Sequence, residues 1–355
     1  MKILYVGGFQ LPDKNAAAQR VVNIAKALRD LGHEVIFLHN VKGIKKSLWT
    51  SYFGFKCYEC DKKPISYNLG IKTIKKISKE EKIEAIIAYN YPSIALNKLV
   101  TFCKKSGIKS IADVTEWYDI KGCSIRSIIK RWDVKFRMTE VHPKMDGIIA
   151  ISQYLYDYYK DKTHTIKLPP LVDLTDKKWD VDKVKNDVPT FVYAGSPSAQ
   201  KEKLDLIINT IEDIAKEKPI LLKVIGVTKS QYENMYSTKY DGKAVKFYGR
   251  IPHEEAIREV ALSDWSIIIR ENTLSNKAGF PTKFVESISC GTPVIANKFS
   301  NVAEYISSDR GILLDNINCL KPIIEKVMID EIKIDNTLFY YHGYIDKIKQ
   351  FTYFE

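Results

Sequence analysis

The chain has 355 residues, of which 45% are hydrophobic and 28% are charged, and this is enough apolar material for two domains with separate cores. The composition excludes a disordered or fibrous protein, and no apolar run approaches the roughly 18 residues that a membrane-spanning helix needs. The charge is divided unevenly, because residues 1–170 contain 30 Lys+Arg against 16 Asp+Glu, a net charge of +14, whereas the remainder carries −2.

The basic first half has two interpretations. Its lysine-rich stretches, at 72–82 and 121–137, are either solvated faces of ordinary helices or a surface that binds an anionic partner. An anionic membrane contributes about 1 kcal/mol for each Lys or Arg near its surface, and nucleic acid attracts the same charges. Charge alone does not choose between these readings.

The first residues and the cysteines indicate a cytoplasmic protein. The segment MKILYVGGF predicts a buried strand and not a signal peptide, because no small-residue cleavage site follows it. Six cysteines in so long a chain do not make a disulfide framework. Cys57 and Cys60 constitute one C-x-x-C pair, which we interpret as structural thiols, with a metal or redox role as the alternative.

Strand-like and helix-like segments alternate along the chain. In the first half the predicted strands are 3–9, 33–40, 83–89, 108–114 and 146–152, and the predicted helices are 21–32 and 93–107. Periodicity fails over the polar stretch 175–189 and then resumes. In the second half the predicted strands are 189–195, 220–226, 244–249, 265–270 and 292–297, and the predicted helices are 203–216, 253–262 and one that begins near Thr282.

Apolar strands separated by amphipathic helices indicate parallel sheets that are covered on both faces. We therefore predict an α/β protein with two Rossmann-like domains in tandem, at 1–174 and 189–335, joined by a linker at 175–188. The remaining segment, 336–355, is an amphipathic, aromatic-rich helical stretch that is too short for a domain of its own.

In such sheets, ligands bind beyond the carboxyl ends of the strands. The loop after the first strand begins at Gly8 but lacks G-x-G-x-x-G, and no P-loop motif occurs in the chain. The loop after 189–195 begins at Gly195, and Lys201 follows six residues later. This spacing suits a lysine that reaches an anion over the sheet edge. The alternative is that Lys201 is an ordinary surface lysine.

The segment KAGFPTKFVESISCGTPVIAN, residues 277–297, carries a stronger signal. Pro281 suits the first position of a helix, which leaves the amides of Thr282 and Lys283 to face an anion above the sheet. Glu286, about one turn further on, is placed to accept hydrogen bonds from a vicinal diol. A diol and a phosphate one turn apart describe a ribose diphosphate. The alternative is that Glu286 only pairs with a neighbouring lysine.

At these residues the chain resembles the retaining, nucleotide-sugar-dependent glycosyltransferases of family 4. The features that carry the resemblance are GHEV at 32–35, PPLVD at 169–173, Gly195 with Lys201, FYGRIPHEE at 247–255, and above all GFPTKFVESISCGTPVIAN. The resemblance implies the GT-B architecture of two Rossmann-like domains, with a last helix that returns to the first domain.

The resemblance also assigns roles to residues. It implies that Lys201 meets the donor diphosphate, that the first amides of the helix bind its phosphates and that Glu286 holds the ribose. The donor-site residues predicted in this way are Gly195, Ser196, Lys201, Arg250, Arg270, Gly279, Phe280, Pro281, Thr282, Lys283 and Glu286. The chain departs from the family pattern at Ala278, where a glutamate is usual, and at Ser196, where an arginine is common. Arg250, Arg270, Asn276 and Lys277 are the candidates to compensate.

The acceptor side is predicted in the first domain. Gly8 and the residues of DVTEWYD are the candidates, with Asp113 and Glu116 as carboxylates and Trp117 as a ring on which a sugar stacks. The alternative is that they are ordinary loop polar residues and core aromatics. Lys201, Glu286 and Glu116 are the predicted catalytic residues. An inverting reaction would need a carboxylate or a histidine as base, and Asp113, Glu116 and Asp119 are the acceptor-side carboxylates. His253 is expected to begin a helix and not to catalyse.

The implied reaction is hexosyltransferase-like, moving a sugar from a UDP- or GDP-sugar to a glycan or lipid-linked acceptor. The resemblance implies retention of configuration without a further cofactor. No metal is expected, because that reaction does not require one and no D-x-D occurs at a suitable loop. The implied setting is surface polysaccharide or glycoconjugate synthesis in the cytoplasm, with peripheral attachment to an anionic membrane and no nucleic acid. A nucleotide-sugar 2-epimerase and a nucleic-acid-binding module that uses the basic half are the alternatives.

Overall fold

The computed structural model describes residues 1–12, 15–41, 44, 46–61, 70–197, 202–328 and 334–353. The chain divides into two compact units. Unit 1 consists of Met1–Leu171, Ala278–Phe280 and the C-terminal residues from Tyr341, and unit 2 consists of Val172–Lys277 and Pro281–Tyr340. Unit 2 therefore begins a few residues before the predicted limit at 174.

Unit 1 is built on an eight-stranded sheet with the order β3-β4-β2-β1-β5-β6-β7-β8. Its strands are β1 (Lys2–Gly7), β2 (Glu34–Val41), β3 (Leu48–Tyr52), β4 (Phe55–Asp61), β5 (Ala85–Tyr89), β6 (Lys109–Val114), β7 (Gly147–Ala150) and β8 (Thr165–Lys167). All neighbouring strands are parallel except β3 and β4, which are antiparallel. The helices between them are α1 (Ala16–Asp30), α2 (Ile71–Glu80), α3 (Ser93–Ser106), α4 (Ile125–Phe136) and α5 (Gln153–Tyr159).

Unit 2 contains a six-stranded parallel sheet with the order β11-β10-β9-β12-β13-β14. Its strands are β9 (Thr190–Ala194), β10 (Leu221–Ile225), β11 (Val245–Gly249), β12 (Trp265–Ile268), β13 (Val294–Asn297) and β14 (Gly311–Leu314). Its helices are α6 (Leu204–Ala215), α7 (Lys229–Tyr236), α8 (His253–Ala261), α9 (Leu274–Ala278), α10 (Thr282–Ser289) and α11 (Leu320–Val327). The predicted α/β class with two sheets is confirmed, and the sheets are parallel except for the antiparallel β3–β4 pair at one edge of the first sheet.

The C-terminal helix, α12 (Ile345–Thr352), belongs to unit 1 and packs against α1 and β8. The Tyr341 hydroxyl donates a hydrogen bond to Asp30 at the end of α1, at 2.9 Å. The ring of His164 stacks on Phe351 with their centroids 4.9 Å apart. The apolar side chains of this helix thus complete the core of unit 1, and the expected return of the last helix to the first domain is confirmed.

The stretch predicted as a linker, 175–188, is part of unit 2. Trp179 and Val181 pack against the apolar cluster formed by α8 and the sheet, which includes Val192 and Ile257. The sequence did not indicate these two contacts, because the stretch is mostly polar and has no regular hydrophobic periodicity. Hydrogen bonds from Lys183 to the Gly291 carbonyl and from Asn186 to Asp264 also hold this stretch on unit 2.

Candidate functional site

The sheet of unit 2 has a topological switch point between β9 and β12. These two strands are neighbours, whereas β10 lies on the far side of β9 and β13 lies on the far side of β12. Ligands of open α/β sheets bind in the crevice beyond the carboxyl ends of the strands at such a point. The loops that leave it begin at Gly195 after β9 and at Ile269 and Arg270 after β12.

Gly195 is required by its surroundings. Its φ of +143° lies in a region that side-chain-bearing residues avoid, and a Cβ atom here would lie 2.9 Å from Cε of Lys283. The neighbouring loop approaches just as closely, since a Cβ on Gly226 would lie 2.2 Å from the carbonyl oxygen of Gly195. The glycine therefore lets the Lys283 side chain lie directly against the end of β9.

Lys283 and Glu202 form a buried ion pair at this point. The Lys283 ammonium lies 2.8 Å from both carboxylate oxygens of Glu202 and 2.8 Å from the hydroxyl of Tyr193. Arg270 donates to the same carboxylate from Nε at 3.1 Å and from a terminal nitrogen at 2.8 Å. One acid thus joins two cations from α10 and from the loop after β12.

The electrostatics of this cluster leave it positively charged. Burial lowers the pKa of Lys283 to about 8, and the charge of Glu202 opposes that shift. Burial pushes the pKa of Glu202 upward, but the charges of Lys283 and Arg270 outweigh it and hold that pKa below its usual value. At neutral pH the three groups carry a net charge of about +1, which favours an anion near the switch point.

The side chain of Lys283 is not open to a ligand. Its ammonium is bound by Glu202 and Tyr193, and the residue is 9% exposed. Any effect of Lys283 on an anion at the switch point would come through the field of the cluster and through its backbone amide.

Helix α10 begins at Thr282, as predicted, but Pro281 is the residue before the helix and not its first position. Pro281 is extended, with φ −77° and ψ 114°, and precedes the first helical residue, Thr282. The amide of Phe284 already bonds to the Pro281 carbonyl, at 3.1 Å. The amides of Thr282 and Lys283 belong to the first turn, where a helix offers no internal acceptor. Together with the helix dipole they form a suitable place for a phosphate.

Glu286 lies one turn further along α10 and is partly buried. Its Oε1 lies 3.0 Å from Nε2 of His253, the first residue of α8. Among the described residues, the partner that the structure shows for this carboxylate is a histidine. His253 begins a helix, as expected, and its ring also holds the carboxylate that the sequence assigns to the ribose.

Other predicted donor residues are dispersed. Ser196 and Arg250 are exposed, while Gly279 and Phe280 group with unit 1. In unit 1 the carbonyl of the preceding Ala278 accepts a hydrogen bond from Ser152, at 2.7 Å. Lys201 lies outside the described residues, so its diphosphate role stays a prediction.

The switch point of the other sheet lies between β1 and β5, and the acceptor candidates follow β1 and β6, the strand beside β5. Gly8 follows β1 and is exposed. Asn90 follows β5, and its side chain exchanges hydrogen bonds with Thr115, at 2.6 and 3.2 Å. This contact fixes the start of the loop that carries Glu116 and Trp117. Glu116 accepts a short hydrogen bond from the Tyr118 hydroxyl, and the Trp117 ring lies edge-on to Tyr158 with centroids 4.8 Å apart.

Asp113 is placed differently from the prediction. It is fully buried and accepts hydrogen bonds from Arg20, at 2.8, 2.9 and 3.1 Å, and one from the Tyr5 hydroxyl, at 2.6 Å. Arg20 itself is buried and also donates to the carbonyl of Leu168. The carboxylate therefore ties β6 to β1 and α1, which argues against Asp113 as an acceptor contact.

Sequence reasoning missed Glu202, Tyr193 and the position of His253. Glu202 is a lone acid between Lys201 and Lys203, and nothing in that pattern indicates that it would be buried. A buried acid needs a cation, so Lys283 at the start of a largely apolar helix was the signal that a partner existed.

The cysteines and the acidic groups show no metal site in the described part of the chain. No cluster of three or more His, Cys, Asp and Glu side chains there is arranged to hold an ion. Burial raises the pKa of Cys57 to about 12 and also raises that of Cys60, so both thiols stay protonated and unreactive. None of the described helices combines the length and apolar character that crossing a bilayer requires.

Comparison with known proteins gives the fold class and one family match. The chain is similar to sucrose-phosphate synthase from Thermosynechococcus elongatus, with a TM-score of 0.74 at 14% identity, over 98% of this chain and 97% of that one. It is also similar to HepE of Anabaena in complex with UDP-glucose, with a TM-score of 0.66 at 14% identity, over 99% and 98% of the two chains. The catalytic domain of starch synthase IV from Arabidopsis thaliana, bound to ADP and acarbose, gives 0.65 at 9% identity, over 98% of both.

These matches establish that the two units form the two-domain α/β fold of the GT-B glycosyltransferases. Residues 176–337 match the family model of the glycosyl transferases group 1, which covers most of unit 2 and the whole candidate donor site. No curated protein sequence matches the chain significantly.

Proposed function

We propose that the chain is a glycosyltransferase that moves a hexose from a UDP- or GDP-sugar to a glycan or lipid-linked acceptor. One observation carries the proposal. At the β9–β12 switch point, Gly195 and the cationic cluster of Lys283, Glu202 and Arg270 adjoin the first turn of α10, and Glu286 follows one turn later.

The arrangement suits a diphosphate that becomes a leaving group. Its charge increases as the bond to the sugar breaks, and fixed cations and helix amides stabilise that charge without rearranging. The cluster, with its net charge of about +1, supplies the fixed cations, and the first turn of α10 supplies the amides. Lys201 would add a third cation to Lys283 and Arg270. The reaction would need neither a metal nor an enzymic base if the leaving phosphate takes the acceptor proton. We propose retention of configuration on this basis.

Glu286 suits the ribose. A carboxylate has about four lone-pair positions, so the contact with His253 leaves room for the two hydroxyls of a diol. The His253 ring also fixes the direction of the carboxylate before the nucleotide binds. Side chains that are held in place lose less freedom on binding, which improves affinity.

The similar structures add support for this class of donor. HepE of Anabaena is described in complex with UDP-glucose, and starch synthase IV in complex with ADP and acarbose. For this chain, the nucleotide base, the sugar and a setting in surface polysaccharide or glycoconjugate synthesis are proposals. Glu116, Trp117 and Gly8 are the proposed acceptor contacts, because they lie at the carboxyl edge of the first sheet.

An assay with purified protein tests the proposal. UDP- and GDP-sugars are incubated with a mixture of glycan and lipid-linked acceptors, with and without EDTA, and the released nucleotide and the anomeric configuration of the product are read by NMR. We expect transfer that is unaffected by EDTA, with the α-linked donor giving an α-linked product. Conversion of the donor without any acceptor would instead support the epimerase, and binding of neither UDP nor GDP would overturn the proposal.

Lys201 provides a sharper version of the same test. Lys201→Ala is expected to lower affinity for the nucleoside diphosphate at least tenfold, since charge-assisted contacts contribute about 1.5–3 kcal/mol each. Lys218→Ala is the matched control, because Lys218 is exposed at the far end of α6. Equal losses of nucleotide affinity in both variants would show that Lys201 acts through the overall charge of the protein and not through contact with a phosphate.

A further inference from the structure

Helix α4 of unit 1 exposes an apolar stripe. Ile125, Ile128, Ile129 and Trp132 are 78%, 53%, 60% and 52% exposed. Their spacing of three, four and seven residues places them along one face of the helix. The ring of Phe136 extends the stripe by stacking on Trp132, with centroids 5.1 Å apart and planes 11° from parallel. Isolated exposed apolar residues are ordinary, but a continuous stripe of this kind indicates a binding surface.

The opposite face of α4 is anchored to the unit, so the stripe is directed away from the core. At about 100° per residue, Val134 lies half a turn from Ile125, and it is buried. The carboxylate of Asp133 accepts hydrogen bonds from the amide and the hydroxyl of Ser93, at 2.9 and 2.7 Å, at the start of α3. The helix therefore holds its position through residues other than those of the stripe.

Basic side chains border the stripe on both sides. Arg126 and Lys130 lie on one flank, Arg131 and Lys135 lie on the other, and all four are exposed. The acid of the helix, Asp133, bonds to Ser93, and its one negative charge against four positive charges leaves α4 with a net charge of +3. This is the pattern of a helix that lies in a membrane interface, with apolar residues on one side and cations at the level of the lipid phosphates.

We propose that α4 docks the protein on an anionic lipid bilayer. Ile125, Ile128, Ile129 and Trp132 enter the boundary between headgroups and acyl chains, while the four flanking cations contact lipid phosphates. The net charge of +14 on residues 1–170 adds a longer-range attraction to the same surface. The proposal that α4 binds a membrane depends only on the residues of α4. That membrane binding presents a lipid-linked acceptor to Glu116 and Trp117 rests on the proposed function.

The charges favour a bilayer over other occupants. A second copy of the chain would bring the same four cations against one another, and like charges across an interface are unfavourable. Nucleic acid would satisfy the cations but would leave three isoleucines in water. An anionic bilayer satisfies both the cations and the apolar stripe.

Vesicle flotation with the full-length protein tests the proposal. Phosphatidylcholine vesicles are compared with vesicles in which about a third of the lipid is phosphatidylserine, and we expect binding to the anionic vesicles only. Ile128→Ser/Ile129→Ser should reduce the bound fraction at least tenfold, and Arg126→Gln/Lys130→Gln should reduce it in low salt. Leu48→Ser and Lys104→Gln/Lys105→Gln are the matched controls, because they change exposed residues of unit 1 outside α4. They are expected to bind like the unchanged protein.

Depth is measured with Trp132. Anionic vesicles containing brominated acyl chains should quench tryptophan fluorescence, and Trp132→Phe should remove that quenching even though four other tryptophans remain of the five in the chain. Unchanged binding of the serine variant would overturn the proposal, as would a dimer in sedimentation that this variant converts to monomer. Nucleotide affinity, measured on the same variants, reports separately on the proposed function and should not change.

Discussion

Lys283 and Glu202 form a buried ion pair in which the ammonium nitrogen lies 2.8 Å from each carboxylate oxygen. Arg270 contacts the same carboxylate, and the three side chains come from α10, the residues before α6 and the loop after β12. The pair therefore connects three segments of the candidate donor site.

Removal of the acid should destabilise unit 2 strongly. Glu202→Ala leaves the buried ammonium of Lys283 without its counter-charge, and a broken buried pair costs about 3–5 kcal/mol. We expect a lower urea midpoint for the cooperative transition of unit 2. Asp315→Ala is the control, because it breaks the exposed pair with Lys298 and is expected to leave the midpoint unchanged. A Glu202→Ala protein as stable as the unchanged one would contradict this description of the cluster.

Gly195 offers an independent test of the same geometry. In Gly195→Ala the new Cβ would lie 2.9 Å from Cε of Lys283 at an unfavourable φ, and such strain costs about 1–3 kcal/mol. We expect a lower melting temperature together with weaker nucleotide binding. Gly343→Ala introduces a Cβ with nothing within 4 Å and should change neither quantity. If the two variants behave alike, the close approach of Lys283 to β9 is wrong.

His142 predicts how stability depends on pH. Burial, reinforced by the charge of Arg137, holds the pKa of His142 well below its ordinary value of 6.5. Below about pH 6.5, His142 therefore binds a proton in the unfolded chain but not in the folded chain. The free energy of unfolding falls as the pH drops, by up to about 1.4 kcal/mol per pH unit. His142→Gln should flatten the fall in urea midpoint below pH 6.5. The exposed His342→Gln should keep the slope of the unchanged protein, and an equal slope in all three proteins would show that His142 titrates normally.

The strand and helix pattern was predictable from the sequence where periodicity and burial agree. The apolar run ILYVG became β1, and the GFPTKFVES segment became the start of α10, because both are buried on the side that their pattern predicts. The antiparallel hairpin of β3 and β4 was missed. It turns at Phe53 and Gly54, both with positive φ, without the Asn-Gly or Asp-Gly pair that signals such a turn.

The site was predictable only in part, because partners distant in sequence decide what a side chain does. Glu286 was placed near the strand ends from local spacing, but its contact with His253 joins residues 33 positions apart. Asp113 had the pattern of a loop acid, and only the fold shows that Arg20, 93 positions away, neutralises it. The local sequence pattern predicts which residues lie at the edge of a sheet. Which of those charged residues are paired depends on contacts between residues that are distant in sequence.

The most direct measurement is calorimetric titration of UDP and GDP into the unchanged protein and into Glu286→Gln. The substitution removes one charged acceptor for the ribose hydroxyls, a contact that contributes about 1.5–3 kcal/mol, so we expect Kd to rise by about tenfold or more. Glu217→Gln is the matched control, since Glu217 is exposed just beyond α6, and it should bind nucleotide like the unchanged protein. Equal nucleotide affinity in Glu286→Gln and in the unchanged protein would contradict the placement of the donor at α10.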